Sequence, residues 1–215
     1  MSEQEGVIKF HLEHRQEVLP ADVDIAGLEQ ARNQLLALGL VGQDSSRYQG
    51  LGFGNLSQRY VPVHSTKDVG SGMFVITGSQ TGHLSSLSRR DYALVTAADL
   101  GSNRLISTGE TRPSSESTTH ALLYQLSRHI GAVIHVHSPD IWKKAESLGL
   151  LTTPSNAPYG SPELVSAVTS LWCERDLQTA GLFVMLGHQD GVMSFGPDIE
   201  TALGRIKTTL TVAIN

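Results

Sequence analysis

The run "GAVIHVHSP", Gly131 to Pro139, places two histidines around a single valine inside an otherwise apolar stretch, and this limits what the chain can fold into. On a strand, residues two apart point to the same face, so His135 and His137 share one side of a sheet while Val136 faces the other. Their ring nitrogens then converge. Burying two imidazoles side by side without partners costs a few kcal/mol, so either the strand end is open to water or some group satisfies both rings. A divalent metal would do so, and two hydrogen-bonded histidines at a solvated strand end would serve equally well.

The rest of the chain has the means to enclose such a strand. Its 215 residues, 40% hydrophobic and 17% charged, suffice for one sizeable core. We read a polar N-terminal segment over 1–23 and a single domain over 24–215, with no internal repeat, low-complexity tract or Pro/Gly-rich linker. A net charge of −5 without a lysine or arginine cluster argues against nucleic acid or an anionic membrane as the main partner, and favours a small molecule. Cys173 is the sole cysteine, which excludes an intrachain disulfide, and no apolar stretch reaches the roughly 18 residues of a membrane span. The opening "MSEQEGVIKFHLEHRQ" lacks the charged-then-apolar pattern of a secretory signal, so a cytoplasmic protein is expected.

Periodicity then orders the elements. "DIAGLEQARNQLLALGL" carries Ile25, Leu28, Ala31, Leu35 and Leu38 at helical spacing, with Asp24 suited to cap the start and Gly42 to end it. The short runs "LGFGNLSQRYVPV", "GMFVITGSQTG", "DYALVTAAD" and "RLIS" read as a meander of strands bounded by turn formers. "RPSSESTTHALLYQLSRH" returns to helical spacing, with Ser114 or Ser115 as cap and Glu116 in the first turn, and leads into the histidine strand. A capped helix follows in "SPELVSAVTSLWCERD", then strand, turn and strand in "AGLFVMLGHQDGVMSFG". The final helix, "PDIETALGRIKTTLTVAI", opens with proline. This order suggests a mainly antiparallel sheet covered by helices.

A third imidazole, His188, ends an apolar run in "VMLGHQDGVMSFG". Two histidines on one strand and one at the end of another can form an open metal site, and imidazole suits zinc and other first-row divalent ions. Glu116, at the start of the helix feeding the histidine strand, either complements the helix dipole or serves beside a metal as ligand or general base. The turns "GFGN", "TGSQTG" and "PSSE" present backbone N–H groups and hydroxyls able to hold an anion, although serine and threonine beside glycine are also ordinary turn chemistry.

Taken in order, "GNLS", "ITGSQTG", "PSSE", "HVH" and a late strand-end histidine resemble the class II aldolase/adducin family, which includes fuculose and rhamnulose phosphate aldolases and ribulose phosphate epimerases. The match runs over nearly all of the chain beyond residue 24. The resemblance implies an α/β/α three-layer sandwich around a mostly antiparallel sheet, assembled as a cyclic homotetramer with active sites between subunits. It further implies Zn2+, or another divalent first-row metal, held by His135, His137 and His188, with Glu116 as catalytic acid/base. Gly54, Asn55, Ser114, Ser115 and a Thr-Gly pair match its phosphate-binding segments. Thr77-Gly78 and Thr81-Gly82 both qualify for that pair, and the distance to "LSRRDYALV" favours Thr81 and Gly82. The implied activity is aldolase-type lyase chemistry on a sugar phosphate or other small hydroxy-carbonyl compound, through a metal-stabilised enediolate.

The chain departs from the family pattern in three places. Glycine usually follows the third histidine directly, whereas Gln189 and Asp190 intervene here; Asp190 either initiates the turn or supports a histidine from behind. The segment between His137 and "PYGSPEL" is shorter than in the sugar-phosphate aldolases, where a substrate-facing tyrosine lies, and Tyr159 belongs to a different part of the alignment. No tyrosine follows Tyr159, so the tail that helps protonate the aldehyde in those enzymes is expected to be missing.

Other residues have plainer expectations. His11 and His14 are expected to be solvated, His120 packed or hydrogen-bonded in its helix, and His64, His83 and His129 at loops or helix ends. Trp142 and Trp172 read as packing or interface residues, and Cys173 as buried. Three competing functions remain beside the lyase: an epimerase or isomerase of the same family, a zinc hydrolase or hydratase, and a non-catalytic adducin-like binding module.

Overall fold

A computed structural model describes residues 6–62 and 72–215; His64 lies outside the described residues. The chain runs β1 (His11–Gln16), α1 (Ala26–Ala37), β2 (Gly42–Gln43), β3 (Gly52–Phe53), β4 (Asn55–Arg59), β5 (Phe74–Thr77), β6 (Tyr92–Asp99) and β7 (Arg104–Gly109). It continues with α2 (Ser117–Leu126), β8 (Ala132–His137), α3 (Pro139–Lys143), β9 (Thr152–Thr153), α4 (Pro162–Glu174), α5 (Leu177–Ala180), β10 (Leu182–Met185), β11 (Gly191–Gly196) and α6 (Ile199–Ile214). Among the described residues, a nine-stranded sheet has the order β1-β7-β6-β5-β4-β8-β11-β10-β9, and β2 pairs with β3 separately.

Strands β4 to β7 form the expected antiparallel meander, and β8 enters between β4 and β11, antiparallel to both. The sheet is nonetheless mixed, because β1 joins β7 and β9 joins β10 in parallel at the two edges. Strand β1, within the stretch set apart by composition, therefore forms an edge of the same sheet as the strands that follow. Its charges suit that place: Arg104 on β7 pairs with Glu13, and exposed charge on an edge strand discourages pairing with another chain. His11 is exposed, as expected, whereas His14 is half-buried, with Nδ1 bonded to Ser107 Oγ at 2.9 Å.

All six residues of β8 are buried, in keeping with its apolar residues before and between the two histidines. Alternate residues serve two separate apolar clusters. Ile134, Val136 and Val192 pack with Leu28 and Leu35 of α1, Ile141 of α3 and Ile206 of α6. Val133, Met193 and Phe195 pack with Leu123 of α2, Leu164 and Val168 of α4 and Leu177 of α5.

Helix ends differ from the sequence expectation in instructive ways. Gly39, at φ +66°, ends α1 by donating to the Leu36 carbonyl, so Gly42 is left to the small sheet. Asp24 does accept from the Ala26 N–H, at 2.9 Å. The last helix begins at Ile199, where the Asp198 side chain accepts from the Thr201 N–H at 2.7 Å, and Pro197 precedes it. Cys173 is exposed rather than buried, because α4 turns Leu164 and Val168 inward and Cys173 outward. Among the described residues, no helix is long and apolar enough to cross a membrane.

Candidate metal centre

Pairing on either side of β8 assembles the site. Register sets Asn55 of β4 and Met193 of β11 opposite His135, and Gly191 opposite His137. His188 lies in the turn joining β10 to β11, closed by the Gly191 N–H donating to the His188 carbonyl at 3.0 Å. Only glycine fits at 191: a β-carbon there would lie 2.6 Å from the His188 ring and 3.3 Å from that of His135. The glycine expected next to the third histidine is thus present, two positions later.

Glu116 occupies the position just before α2. Its N–H donates to Ser114 Oγ at 3.3 Å, and its carbonyl accepts from Thr119 and His120. The side chain is left free to reach β8. Its Oε1 lies 3.0 Å from His135 Nε2 and 3.9 Å from His188 Nε2, and His188 Nε2 lies 3.0 Å from His137 Nε2. One potential ligand atom from each of the four residues falls within 4.8 Å of the others, and all four residues are buried.

The donor set fits a divalent ion. Burial first, then the neighbouring rings of His188 and His135, holds His137 well below its ordinary 6.5, so it offers a neutral lone pair. Burial alone would raise the Glu116 carboxyl, but His135 and His188 outweigh it and keep the group ionised. Glu116 Oε2 and His135 Nδ1 are buried without a hydrogen-bond partner among the described residues. Two buried polar atoms left this way are costly unless a ligand or water meets them.

Beside the centre lies a polar cleft. Gly54, Asn55, Thr81, Gly82, Ser114 and Ser115 all line it, together with Gly78. Asn55 belongs to both places, since its Nδ2 donates to Glu116 Oε1 at 3.3 Å. Thr77 does not reach the cleft: it is buried in β5 and its Oγ1 accepts from the Leu56 N–H at 3.2 Å. The backbones approach closely here. A β-carbon on Gly82 would lie 2.2 Å from the Gly42 carbonyl oxygen, and Gly54, at φ +75°, has Val41 at 2.6 Å. Arg32, 3% exposed, steadies the same loop by donating to the carbonyls of Leu84 at 2.6 Å and Thr81 at 3.3 Å.

Several residues singled out by composition lie elsewhere. His120 is buried and bonded to Ser57 Oγ at 2.7 Å, and His83 bonds the Gln80 carbonyl in a turn. His129 is exposed just past α2. Trp142 Nε1 donates to the Met185 carbonyl, and the Trp172 ring packs 5.9 Å from Phe195. Tyr159 is fully buried, with its ring 4.8 Å from that of His188.

Asp190 both turns the chain, at φ +61°, and bonds a residue that sequence reasoning passed over, Tyr48. Nothing local to "SSRYQG" marks Tyr48 as part of a site.

Residues 43–213 match the family model described as the Class II Aldolase and Adducin N-terminal domain. The fold is similar to that of L-fuculose-1-phosphate aldolase from Thermus thermophilus, with TM-score 0.58 and 19% identity, covering 88% of this chain and 90% of that one. It is similar to a sugar-phosphate aldolase from Thermotoga maritima, with TM-score 0.62 and 16% identity over 87% and 90% of the two chains. It also matches the N-terminal class II aldolase domain of a conserved protein from Thermoplasma acidophilum, with TM-score 0.58 and 15% identity over 94% and 98%. With a family model spanning most of its length, the chain belongs to the class II aldolase and adducin N-terminal domain family.

Proposed function

We propose that the protein is a metal-dependent lyase of the aldolase type, acting on a small sugar phosphate or related hydroxy-carbonyl compound. The observation that carries this reading is the convergence of three imidazoles and one carboxylate within 4.8 Å, buried beside a cleft of glycines and hydroxyls. His135, His137 and His188 would hold the ion, zinc being the first choice for an all-imidazole set. When bound, such an ion supplies positive charge beside a carbonyl oxygen, where proton removal or C–C cleavage builds negative charge.

The chain's own residues account for the remainder. Glu116, ionised and shielded from water, takes a proton from the substrate at a carboxylate oxygen and returns it later in the cycle. Asn55 fixes the carboxylate by donating to Oε1, which leaves Oε2 free for that exchange. Ser114, Ser115 and the Thr81-Gly82 turn anchor an anionic end of the substrate through hydroxyl and N–H donors, so that binding energy is used for orientation. The same reading assigns a cyclic homotetramer, and it takes the helices packed in the two apolar clusters as the outer layers of an α/β/α sandwich.

Metal analysis of the purified protein, then a screen of sugar phosphates for retro-aldol cleavage and for solvent deuterium exchange next to the carbonyl, tests the proposal. Bound divalent metal with cleavage supports the lyase. Exchange without cleavage moves the assignment to an epimerase or isomerase, and absence of both, in a metal-loaded protein, removes the catalytic reading.

A further inference from the structure

Among the described residues, three non-glycine residues flanking His137 and His188 have left-handed backbone: Tyr48 at φ +48°, Gln49 at +60° and Asp190 at +61°. Side chains bearing a β-carbon rarely adopt this conformation and keep it only where their surroundings hold it. Two of the three meet. The Tyr48 hydroxyl donates to Asp190 Oδ2 at 2.7 Å, and Asp190 is 7% exposed. Arg47 donates to the same hydroxyl at 2.7 Å and to the His137 carbonyl at 3.3 Å. The Tyr48 ring stands edge-on to the His137 imidazole, 4.5 Å between centroids. The Asp190 carbonyl accepts from the N–H of Ser138, the residue after His137, at 2.8 Å. Loop 47–49, the end of β8 and the His188 turn are thereby tied in one ring of contacts.

We propose that Tyr48 is a positioning residue for the metal centre. Its hydroxyl, held by Asp190, fixes the turn that aims His188 at His137, while its ring, at 68° to the His137 imidazole, packs against it. The inference rests on reading His135, His137, His188 and Glu116 as a metal centre. It also gives the two extra residues after His188 a purpose: they move the required glycine to 191 and supply, in Asp190, the anchor for Tyr48.

The test uses the full-length protein stripped by chelation and titrated with Zn2+ against a chromophoric chelator of known affinity. The variants are Tyr48→Phe, Asp190→Ala, Asp190→Asn and the double Tyr48→Phe/Asp190→Ala, each also unfolded by urea in the metal-free state. Removing a group that orients a ligand from behind typically costs about 10–100-fold in metal affinity, and Tyr48→Phe and Asp190→Ala are each expected in that range. The double variant is expected to bind no more weakly than the weaker single one, since both remove the same bond. Asp190→Asn keeps an oxygen acceptor and is expected within about threefold of the parent.

Zinc affinity unchanged in Tyr48→Phe and Asp190→Ala, even with a lowered urea midpoint, would overturn the proposal, because that is the mark of a purely structural contact. Additive losses in the double variant would overturn it too. If Asp190→Ala does not fold, Tyr48→Phe against Asp190→Asn decides alone. A parent protein that binds no first-row divalent ion refutes the metal centre itself, a result distinct from tight parental binding that Tyr48→Phe leaves intact.

Discussion

His135 Nε2 lies 3.0 Å from Glu116 Oε1, with side chains 0% and 1% exposed. The ring comes from the middle of an enclosed strand and the carboxylate from the start of a helix. Burial alone would raise the Glu116 carboxyl, and the adjacent His135 and His188 rings outweigh it and hold the group below its ordinary value.

Glu116→Gln keeps the shape of the side chain and an oxygen for Asn55 to bond, but removes the carboxylate proposed to transfer the proton. Metal content is expected to stay within about twofold of the parent, while turnover or solvent exchange falls by about 10²–10⁴-fold, the usual contribution of general acid–base catalysis. Elemental analysis beside steady-state kinetics reads both quantities. Full activity in this variant would remove Glu116 from the proton transfer.

His135→Ala removes the imidazole nearest to Glu116 and leaves the carboxylate with one fewer compensating ring. Divalent metal bound at equilibrium with a competing chelator is expected to drop by at least about tenfold, the low end of the loss seen when support to a metal ligand is removed. The metal-free fold, judged by circular dichroism, is expected to survive because the strand keeps both of its neighbours.

Gly82→Ala places a methyl group 2.2 Å from the Gly42 carbonyl oxygen, where backbone rather than a flexible side chain must give way. The expected cost is about 1–3 kcal/mol of stability, typical of overpacking. Urea unfolding measures it. Weaker protection by inorganic phosphate would show in addition that the cleft takes an anion, whereas unchanged stability would mean that the 78–82 loop is free to move aside.

Acid is expected to weaken the metal-free protein well before the carboxylates titrate. Burial, set against Glu116 and reinforced by His135, lowers His120 from 6.5 to about 3, and burial likewise lowers His137. The folded state keeps these rings neutral while the unfolded chain takes up protons near pH 6.5. Stability is therefore complete above that pH and is lost as the pH falls through it toward 3. Each extra proton bound by the unfolded chain costs about 1.4 kcal/mol per pH unit. Glu116, held below its ordinary 4.5, adds to the loss only beneath that value. Urea midpoints measured downward from neutral pH check this, and His120→Gln is expected to flatten the profile. A flat profile in the parent would contradict neutral buried rings.

Much of the centre could be read from local pattern. Two histidines around Val136 share a face because a strand repeats every two residues, and β8 obeys that rule. Glu116 was placed at a helix start by the serines before it and the apolar spacing after it, and the glycine turns were visible as turns. Residues farther from such patterns were misjudged. Cys173 lies on the outward side of an amphipathic helix, and His14 is held by Ser107, 93 residues away. The parallel edges of the sheet depend on where distant strands return, which no local period records.

The amino-acid order by itself determined which residues share a face and where the chain turns, since these follow from backbone geometry over a few residues. Only the tertiary structure decided that Tyr48 meets Asp190 across 142 residues and that three imidazoles and Glu116 close on one point. Such meetings are set by sheet order and register, which depend on packing over the whole chain rather than on any segment of it.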